Sequence, residues 1–363
     1  MAGSVRRPAT FHSEAVMTDH DVIVAGAGPA GSSLAIQLAR QGRTVLLLDR
    51  GSFPREKACG EGVMPAGVAA LMRLGIPMEG AAFQGVRYHH GDRTASGRFP
   101  GAAHGLGIRR FRLDATLLEA ARTERNVEVR TNTPVDSPLL HGDAVVGLVA
   151  GGMEFRAPLV VAADGANSLL RHKLGWDDFH PSRRFGMRRH YRAIAPAEPW
   201  VDVYLDDGSE TYVTNLPDGE LLVATLGDSR NALPLPLRDL EPIDALLGAA
   251  PLVVRAKQRF STGCVLLGDA AGSCDPITGG GISQALVSSE LLARHLATSF
   301  PPTLESLAAF DKARERLLTG YRRLTSGVLA LVARPRLFDP VLAILDHSPM
   351  LFSRLLAVAG GRA

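Results

Sequence analysis

The chain has 363 residues, of which 46% are hydrophobic and 21% are charged, and this is enough apolar material for one large core or two modest ones. Its 40 basic and 37 acidic residues give a net charge of +3, a balance that argues against a nucleic-acid-binding protein. Cys59, Cys264 and Cys274 form no CxxC pair and no histidine–cysteine cluster with metal-ligand spacing, so we expect no bound metal and a reducing, cytoplasmic location.

Residues 1–20 precede the first predicted element. The first sixteen are polar and basic and lack the apolar core of a signal peptide. Because Met17 opens a segment typical of a protein start, we interpret residues 1–20 as a disordered extension or as the result of a misplaced start. No uninterrupted apolar run reaches membrane-spanning length, so no transmembrane segment is expected.

Residues 21–49 have the pattern of a strand, a helix and a second strand. The short apolar run at 22–25 is typical of a buried parallel strand, and a helix is predicted over 31–41, where Gly42 ends it. A second apolar strand follows at 44–48. This order is that of a dinucleotide-binding βαβ unit.

Three glycines lie between the first strand and the helix, and each has a physical task in such a unit. Gly26 permits the tight turn, Gly28 lets the backbone approach a pyrophosphate, and Gly31 lets the helix pack close to the strand. The helix start offers free N–H groups to the phosphates. Asp49 has the spacing of a carboxylate that binds the adenosine ribose, and we place Arg50 beside it in the same site.

The loop at 53–64 reads Phe-Pro-Arg-Glu-Lys-Ala-Cys-Gly-Glu-Gly-Val-Met. Lys57 is predicted to meet a phosphate or a ribose hydroxyl, and the glycines allow the loop to run against the cofactor. Cys59 has two interpretations: a thiol that donates a proton or lines the pocket, or a small buried hydrophobic residue, which we favour. Glu61 is either a proton source or a solvated loop carboxylate, and we favour the second interpretation.

The middle of the chain continues the predicted cofactor domain. Its predicted elements are a helix over 114–125, a strand over 127–135, a hairpin over 143–156 and a buried strand over 159–162. The last strand leads directly to Asp164 and Gly165.

Residues 83–99 and 185–226 have β-rich patterns, with turn sequences at 206–208 and 217–219. These segments predict an antiparallel sheet that covers the cofactor and forms the substrate pocket.

One strand of that sheet carries an unusual polar face. On a strand at 185–192, the side chains of Arg188, His190 and Arg192 share one face. If this face lines the pocket, it holds an anionic or phenolic substrate, with His190 as an acid or base. We favour the alternative, a solvent-facing polar surface.

A third cofactor motif lies late in the chain. An apolar strand leads to Gly268 and Asp269, and residues 275–282 then run into another apolar helix. The N–H groups at the start of that helix are positioned to stabilise a negative charge on the cofactor. From this segment the predicted site includes Pro276, Gly280, Gly281 and Ile282.

The three motifs together resemble those of the flavoprotein monooxygenase and geranylgeranyl reductase superfamily, the glutathione-reductase-like group with a single dinucleotide-binding domain. The resemblance covers about residues 21–297. It implies that the cofactor is FAD, that the Asp164-Gly165 turn lies near its pyrophosphate, and that Asp269 binds its ribityl chain. The resemblance also places Arg110, which enters a helix in an Arg-Phe-Arg-Leu-Asp segment, beside the flavin.

The expected fold is α/β, with a Rossmann-like FAD-binding domain interleaved with an antiparallel β-sheet substrate domain and followed by C-terminal helices. The predicted boundaries are 21–82, 105–180 and 259–299 for the FAD-binding domain, 83–104 and 181–258 for the β-rich substrate domain, and 300–363 for the C-terminal helical region. Pro335 and Pro340 are expected to break the helical pattern of that last region.

The reductases of this superfamily carry a Tyr-x-Trp-x-Phe-Pro signature on the substrate sheet, whereas residues 211–217 here read Thr-Tyr-Val-Thr-Asn-Leu-Pro. The missing Trp and Phe favour the monooxygenase branch, which implies hydroxylation or epoxidation of an apolar small molecule through a flavin hydroperoxide. The Lys-Ala-Cys-Gly-Glu-Gly segment at 57–62 occurs in both branches, so a flavin-dependent C=C reductase stays open. A third interpretation is a non-catalytic flavoprotein or maturation partner, which an exposed apolar face on the tail helices would favour.

The sequence contains one dinucleotide fingerprint, and a second one for a nicotinamide cofactor is absent. We therefore expect NAD(P)H to visit transiently as the reductant, or a reductase partner to take its place.

Overall fold

The computed structural model of this protein describes residues 20–178, 184–206, 208–227, 233–234 and 237–361. Their strands are β1 (Val22–Ala25), β2 (Val45–Leu48), β3 (Gly62–Val63), β4 (Ala81–Phe83), β5 (Gly85–His90), β6 (Arg93–Arg98), β7 (Gly105–Gly107), β8 (Val127–Arg130), β9 (Val135–His141), β10 (Ala144–Ala150), β11 (Met153–Arg156), β12 (Leu159–Ala162), β13 (Phe185–Arg192), β14 (Trp200–Asp206), β15 (Ser209–Asn215), β16 (Glu220–Gly227), β17 (Leu247–Ala249), β18 (Phe260–Ser261) and β19 (Cys264–Leu266). Their helices are α1 (Pro29–Arg40), α2 (Pro65–Arg73), α3 (Arg110–Thr123), α4 (Leu169–Lys173), α5 (Gly281–Thr298), α6 (Leu304–Val332), α7 (Phe338–His347) and α8 (Pro349–Ala359).

The central sheet has the strand order β18-β19-β12-β1-β2-β8, in which every pair except β18–β19 is parallel. Strands β1, β2 and β12 are each four apolar residues that are buried throughout. Such uninterrupted burial is typical of a parallel sheet that is covered on both faces. The predicted Rossmann-like core is therefore confirmed.

The two faces of this sheet are covered by different layers. Val22 and Val24 of β1 belong to a core shared with helices α1, α3 and α5. Ile23 and Ala25 point to the other face, where they pack in a core that includes residues of β10 and β11. This alternation follows from the two-residue repeat of a strand, and it places a small antiparallel sheet, β11-β10-β9, over the second face.

A second large sheet has the strand order β17-β13-β16-β15-β14-β5-β6. It matches the predicted substrate sheet except at one pair, since β14 runs parallel to β5 while the other pairs are antiparallel. Val203 of β14 packs in one apolar cluster with Phe338 of α7 and Phe352 of α8. The C-terminal helices thus cover part of this sheet. The predicted boundaries between the domains stay predictions.

The strand predicted over 127–135 is wrong, because the chain breaks inside it. Strand β8 ends at Arg130 and β9 begins at Val135. Between them, Asn132 adopts a left-handed conformation with φ +53°, and Pro134 has no N–H to give to a ladder. The hairpin predicted over 143–156 is present as the antiparallel pair β10–β11.

Prolines account for two further differences at helix ends. Helix α1 begins at Pro29, two residues before the predicted start, because the fixed φ of proline suits the first helical position. Pro340 lies in the first turn of α7 and does not break it, since a first-turn residue needs no N–H donor. Helix α6 does end before Pro335, as predicted.

Among the described residues, no single helix is long and apolar enough to cross a membrane, although the segments Pro335–His347 and Pro349–Ala359 reach that composition as a pair bent by 104°. The interpretation of residues 1–20 falls outside the described part of the chain except at His20, whose Nε2 lies 3.1 Å from Oε2 of Glu128. The cytoplasmic location stays a prediction.

Candidate FAD-binding site

The predicted cofactor residues follow the carboxyl ends of four neighbouring strands. Gly26 follows β1, Asp49 follows β2, Asp164 follows β12 and Gly268 follows β19, and the four strands lie side by side in the central sheet. Because parallel strands end at one edge of their sheet, motifs that are far apart in the sequence meet there.

Direct contacts show this convergence. The backbone of Gly26 lies against Ala163, and a Cβ at Gly26 would be 2.3 Å from the Ala163 oxygen. Arg171, which follows the Asp164-Gly165 turn, donates from Nη1 to the carbonyl of Ala270 in the third motif at 3.1 Å. A Cβ at Gly268 would lie 3.0 Å from the Cβ of Ala30 in α1. All three motifs therefore border one site.

The glycine fingerprint has the steric properties that a bound pyrophosphate requires. Gly26 has φ +106°, and a Cβ at Gly31 would lie only 1.8 Å from the Gly26 oxygen. At Gly28, a Cβ would meet nothing within 4 Å. The open space lies at the start of α1, where free N–H groups and the helix dipole favour a phosphate. These residues fit the pyrophosphate of a dinucleotide.

Asp49 is buried and already accepts four hydrogen bonds from the protein. Its Oδ2 accepts from the Ala27 N–H at 2.8 Å, and its Oδ1 accepts from the Gly51 N–H at 2.8 Å. The guanidinium of Arg55 donates to both oxygens, at 2.6 and 2.9 Å. Burial opposes ionisation, but Arg55 and the N–H groups outweigh it and hold the pKa of Asp49 below its usual value. A ribose hydroxyl at Asp49 must therefore share or displace the Arg55 contact.

Arg55 is a residue that the sequence analysis missed. It lies six positions after Asp49, and its guanidinium also stacks 4.3 Å above the ring of Phe53. The predicted Arg50 is exposed at the end of β2. The signal in the sequence was the short spacing between Asp49 and Arg55, which allows the loop to bring the guanidinium back to the carboxylate.

In the acidic turn after β12, the two carboxylate oxygens of Asp164 have different surroundings. Oδ2 of Asp164 accepts from the N–H groups of Leu169 and Leu170, at 2.8 and 3.3 Å, and so caps the start of α4. Its Oδ1 is buried and has no hydrogen-bond partner in the protein, and burial raises the pKa of this carboxyl. Gly165 has φ +86° and open space around it. An unpartnered buried acceptor beside open space fits a hydroxyl donor from a ligand.

Asp269 is accessible to solvent, and four basic residues lie near its carboxylate. Partial loss of hydration raises the pKa of this carboxyl, while Arg110, Arg314, Lys57 and Arg171 favour its charged form. Lys57 is also accessible, and partial loss of hydration and then the neighbouring arginines lower the pKa of its ammonium group. A concentration of cations at this position suits a cofactor that carries two phosphates.

The residues at the start of α5 differ in whether they can face the cofactor. Gly281 is open to solvent, and a Cβ there would meet nothing within 4 Å. Gly280 instead packs against Tyr321, whose hydroxyl accepts its N–H at 3.0 Å. Ile282 is buried in the core, so its backbone alone can face the cofactor, and Pro276 begins a short 3₁₀ turn just before. We use the name cofactor cleft for the space bordered by Gly28, Lys57, Gly60, Asp269 and Gly281.

Cys59 lies half-buried beside Arg110. Its Sγ accepts from the Glu61 N–H at 3.3 Å, and the Arg110 guanidinium is a second hydrogen-bond partner. Burial raises the pKa of the thiol and outweighs the opposing effect of Arg110. Arg110 is itself held by Asp114, to which it donates twice at 2.7 Å. Cys59 therefore stays a neutral thiol near pH 7.

The favoured interpretation of Glu61 as a solvated carboxylate is wrong. Its side chain is fully buried, Oε1 accepts from the Arg110 N–H at 2.8 Å, and Oε2 lies 2.8 Å from Nε2 of His190. The solvent-facing interpretation of Arg188 and His190 is wrong as well, since these two side chains are 1% and 0% exposed. Arg192, at the end of β13, is exposed. The inner residues are buried because the loop at 57–62 lies over them.

Further charged side chains lie next to His190. Asp244 accepts from the His190 N–H at 2.8 Å and lies 2.6 Å from its Nδ1. The guanidinium of Arg188 donates to Asp244 at 2.5 Å and to Glu56. Glu56, His190 and Asp244 are close enough to hold a metal ion, but Arg188 occupies the cationic position between the carboxylates.

A second buried ion pair joins the substrate sheet to the third motif. Arg184 donates to Glu210 of β15 and, at 2.9 Å, to Asp275. Tyr212, two residues further along β15, donates from its hydroxyl to the carbonyl of Ile277. Burial raises the pKa of Glu210 to about 7. The sequence analysis missed these contacts, because strand alternation shows which residues share a face but not what covers that face.

Comparison with known proteins agrees with this site. Residues 19–223 match the family model described as FAD binding domain. The chain belongs to this family. It is 30% identical to a menaquinone reductase of Mycobacterium tuberculosis over 327 residues, covering 78% of this chain and 79% of that protein. It is 28% identical to squalene epoxidase erg1 of Schizosaccharomyces pombe, covering 79% and 71%.

A solved structure shows the same fold. The geranylgeranyl bacteriochlorophyll reductase-like protein of Thermoplasma acidophilum superposes with a TM-score of 0.77 at 20% identity, covering 94% of this chain and 95% of that one. The superfamily resemblance and FAD as the cofactor are thereby confirmed, and this flavoprotein is an FAD-dependent oxidoreductase. When FAD is bound it supplies the redox chemistry, and the residues described above would hold and position it.

Proposed function

We propose that this flavoprotein is a monooxygenase that hydroxylates or epoxidises a largely apolar small molecule, with NAD(P)H as a transient reductant or a reductase partner in its place. The observation that carries the proposal is the sequence of β15, which lies against the cofactor segments and lacks the Trp and Phe of the reductase signature. Met64 and Ile277, from two cofactor segments, are buried in one apolar cluster with Phe83 of β4, Val203 of the substrate sheet and Phe338 of α7, so apolar packing joins the sheet to these segments. The apolar substrate class follows the name of one relative, a squalene epoxidase.

The contacts of β15 support a site that is shielded from water on the side of the substrate sheet. Tyr212 donates to the carbonyl of Ile277, Glu210 reaches Asp275 through Arg184, and Thr214 donates to the Gly60 carbonyl at 3.0 Å in the loop at 57–62. Activation of oxygen on a reduced flavin competes with wasteful release of peroxide, and exclusion of water suppresses such side reactions. Strand β15 therefore holds the substrate sheet against the cofactor segments, where the sheet can orient a substrate.

Names of the relatives point to two reaction classes. A squalene epoxidase transfers an oxygen atom, and a menaquinone reductase is named for reduction. The sequence of β15 lacks the Trp and Phe of the reductase signature, and this is why we place oxygen transfer first.

C=C reduction is the second candidate, and Cys59 is the observation that favours it. A neutral thiol at the edge of the cleft, paired with Arg110, is suited to give a proton to a carbon that has received a hydride. In that reaction the double bond gains one hydride and one proton, and NAD(P)H is oxidised to NAD(P)⁺. Cys59→Ser would then slow turnover strongly, whereas oxygen transfer would depend on it little.

Product analysis under labelled oxygen separates the two candidates. The FAD-loaded protein is incubated with NADPH or NADH and a panel of isoprenoid, quinone and aromatic compounds, with ¹⁸O₂ and without oxygen. Ligand-stimulated oxygen uptake with one ¹⁸O atom in the product is the expected result. Efficient anaerobic saturation of a double bond, with no ¹⁸O in any product, would establish the reductase instead.

A further inference from the structure

Glu61 has a backbone conformation that is unusual for its residue type. Its φ is +55°, in the left-handed region. Among the described residues the other non-glycine cases are Asn132 and Asp218, whose short polar side chains adopt this region more readily. A glutamate keeps such a conformation only where surrounding contacts hold it. Residues 57–62, which we call the cofactor loop, therefore depend on what binds Glu61.

The side chain and the carbonyl of Glu61 are held from outside the loop. The carboxylate accepts from the Arg110 N–H and lies 2.8 Å from Nε2 of His190, and its own carbonyl accepts from the Ile108 N–H at 2.9 Å. The side chains of Glu61 and His190 are both fully buried. A buried carboxylate without a cationic partner would be costly, so the contact with His190 stabilises Glu61 in this position.

The surroundings of His190 favour its protonated form. Burial opposes the positive charge, but the hydrogen bonds to Glu61 and Asp244 outweigh it and raise the pKa of the imidazole. The charged groups that face it are Glu61 from the loop, Glu56 just before the loop, Asp244 from the segment before β17, Arg188 on its own strand and Arg109 before α3. Each ring nitrogen has a carboxylate oxygen to receive its proton.

We propose that His190 is a positioning residue for FAD binding: its imidazolium holds Glu61, and Glu61 holds the cofactor loop in the conformation that borders the cleft. Protonation of His190 and binding of FAD then favour each other. The direction of the pH dependence follows from the role of the protonated imidazole of His190. FAD affinity is highest while the imidazolium persists and falls as the pH rises through the pKa of His190. The proposal rests on the FAD site and not on the reaction class.

Titration of the apo-protein with FAD tests this. The dissociation constant is measured by flavin fluorescence from about pH 6 to about pH 9 for the wild type, His190→Gln and His89→Gln. His89 is a matched control in the same sheet, bound to Asp202 at 2.7 Å and stacked on Tyr204. We expect His190→Gln to bind FAD about ten-fold more weakly near neutral pH and to lose the pH dependence. His89→Gln is expected to keep both, and a wild-type affinity and pH profile in His190→Gln would overturn the proposal.

Calorimetry of the wild type covers the case in which His190→Gln does not fold. FAD binding is measured in two buffers with different ionisation enthalpies on the alkaline side of the range. We expect net uptake of protons on binding, and Glu61→Gln is expected to remove it. Binding of FAD without proton uptake would refute the role of His190. Because no turnover enters either measurement, that failure would leave the proposed reaction untouched.

Discussion

Gly28 and Gly31 belong to one fingerprint, yet a side chain would meet different surroundings at the two positions. Gly28 has φ −76° and ψ −174°, which any residue adopts, and open space around its α-carbon. Gly31 has the carbonyl of Gly26 directly against it. The missing side chain at Gly28 leaves space for a ligand, whereas the missing side chain at Gly31 lets α1 pack against the Gly26 carbonyl.

We therefore expect Gly28→Val to abolish FAD binding while the apo-protein keeps its stability. Gly31→Val, the matched control, is expected to destabilise the apo-protein by about 1–3 kcal/mol, because backbone and side chain must move apart. Flavin fluorescence and urea unfolding of both apo-proteins give the two quantities. Retained FAD affinity in Gly28→Val would contradict the placement of the pyrophosphate.

Asp49 provides a prediction with a defined pH window. Its pKa is held below the unfolded value, so its contribution to stability is present above ~pH 3.9 and is lost as the pH falls through the lower, folded pKa. We expect Asp49→Asn to be less stable than the wild type by about 1–3 kcal/mol at pH 7, with the difference shrinking in acid. Chemical unfolding at a series of pH values measures it.

Asp92→Asn, in the exposed turn between β5 and β6, is the control for a general effect of charge. A constant difference between Asp49→Asn and the wild type from neutral to acidic pH would show that the Asp49 charge does not contribute. Asp49→Asn is also expected to bind FAD about ten-fold more weakly, since an amide cannot replace the bonds to both Ala27 and Arg55.

At the scale of elements, β15 is attached to the third motif by the Glu210–Arg184–Asp275 group. Burial raises the pKa of Glu210 to about 7, so the fold disfavours its charged form. A raised carboxyl pKa contributes stability below the unfolded value, and this contribution is lost as the pH rises towards the folded value.

The expected result is that Glu210→Gln gains stability relative to the wild type as the pH rises from about 4.5 to about 7, by up to about 3 kcal/mol. The melting temperatures of both proteins across this range measure the change. Glu154→Gln, at an exposed position on β11, is expected to show no such trend. A relative loss of stability with rising pH would mean that the pair with Arg184 outweighs the burial of Glu210.

At the scale of the whole molecule, the candidate FAD site is built from segments that are distant in the sequence. The ends of β1, β2, β12 and β19 meet at one edge of the central sheet, so a cofactor bound there would connect residues from Gly26 to Asp269. Any ligand that binds the folded state alone stabilises it in proportion to the logarithm of its concentration.

Addition of FAD at 100 times its dissociation constant is expected to stabilise the apo-protein by about 2.7 kcal/mol. FMN, which lacks the adenosine and its ribose, is expected to stabilise it less at the same concentration. Thermal unfolding with each flavin measures the difference. Equal stabilisation by FMN and FAD would mean that the segment around Asp49 does not bind the adenosine half.

The fingerprint was predictable because its requirements are local. Four consecutive apolar residues predict a strand buried on both faces, and a glycine at Gly26 predicts a turn with positive φ. The acidic turn at Asp164 follows its strand by two residues, so its place at the edge of the sheet also follows from the sequence. Short-range geometry thus accounts for the Rossmann-like core, while the predicted cofactor contacts stay predictions.

The tertiary structure alone decided the roles of the buried charges. Glu61 and His190 are 129 positions apart, and neither sequence context indicates that the two side chains share a hydrogen bond. The same holds for Glu210, whose burial depends on Arg184 and Asp275 arriving from other elements. By itself the sequence determined most of the strands and turns, because these depend on neighbouring residues, and its motifs indicated the cofactor through their resemblance to a known superfamily. Burial, ion pairing and pKa depend on which distant segments pack together, and that is settled only when the chain has folded.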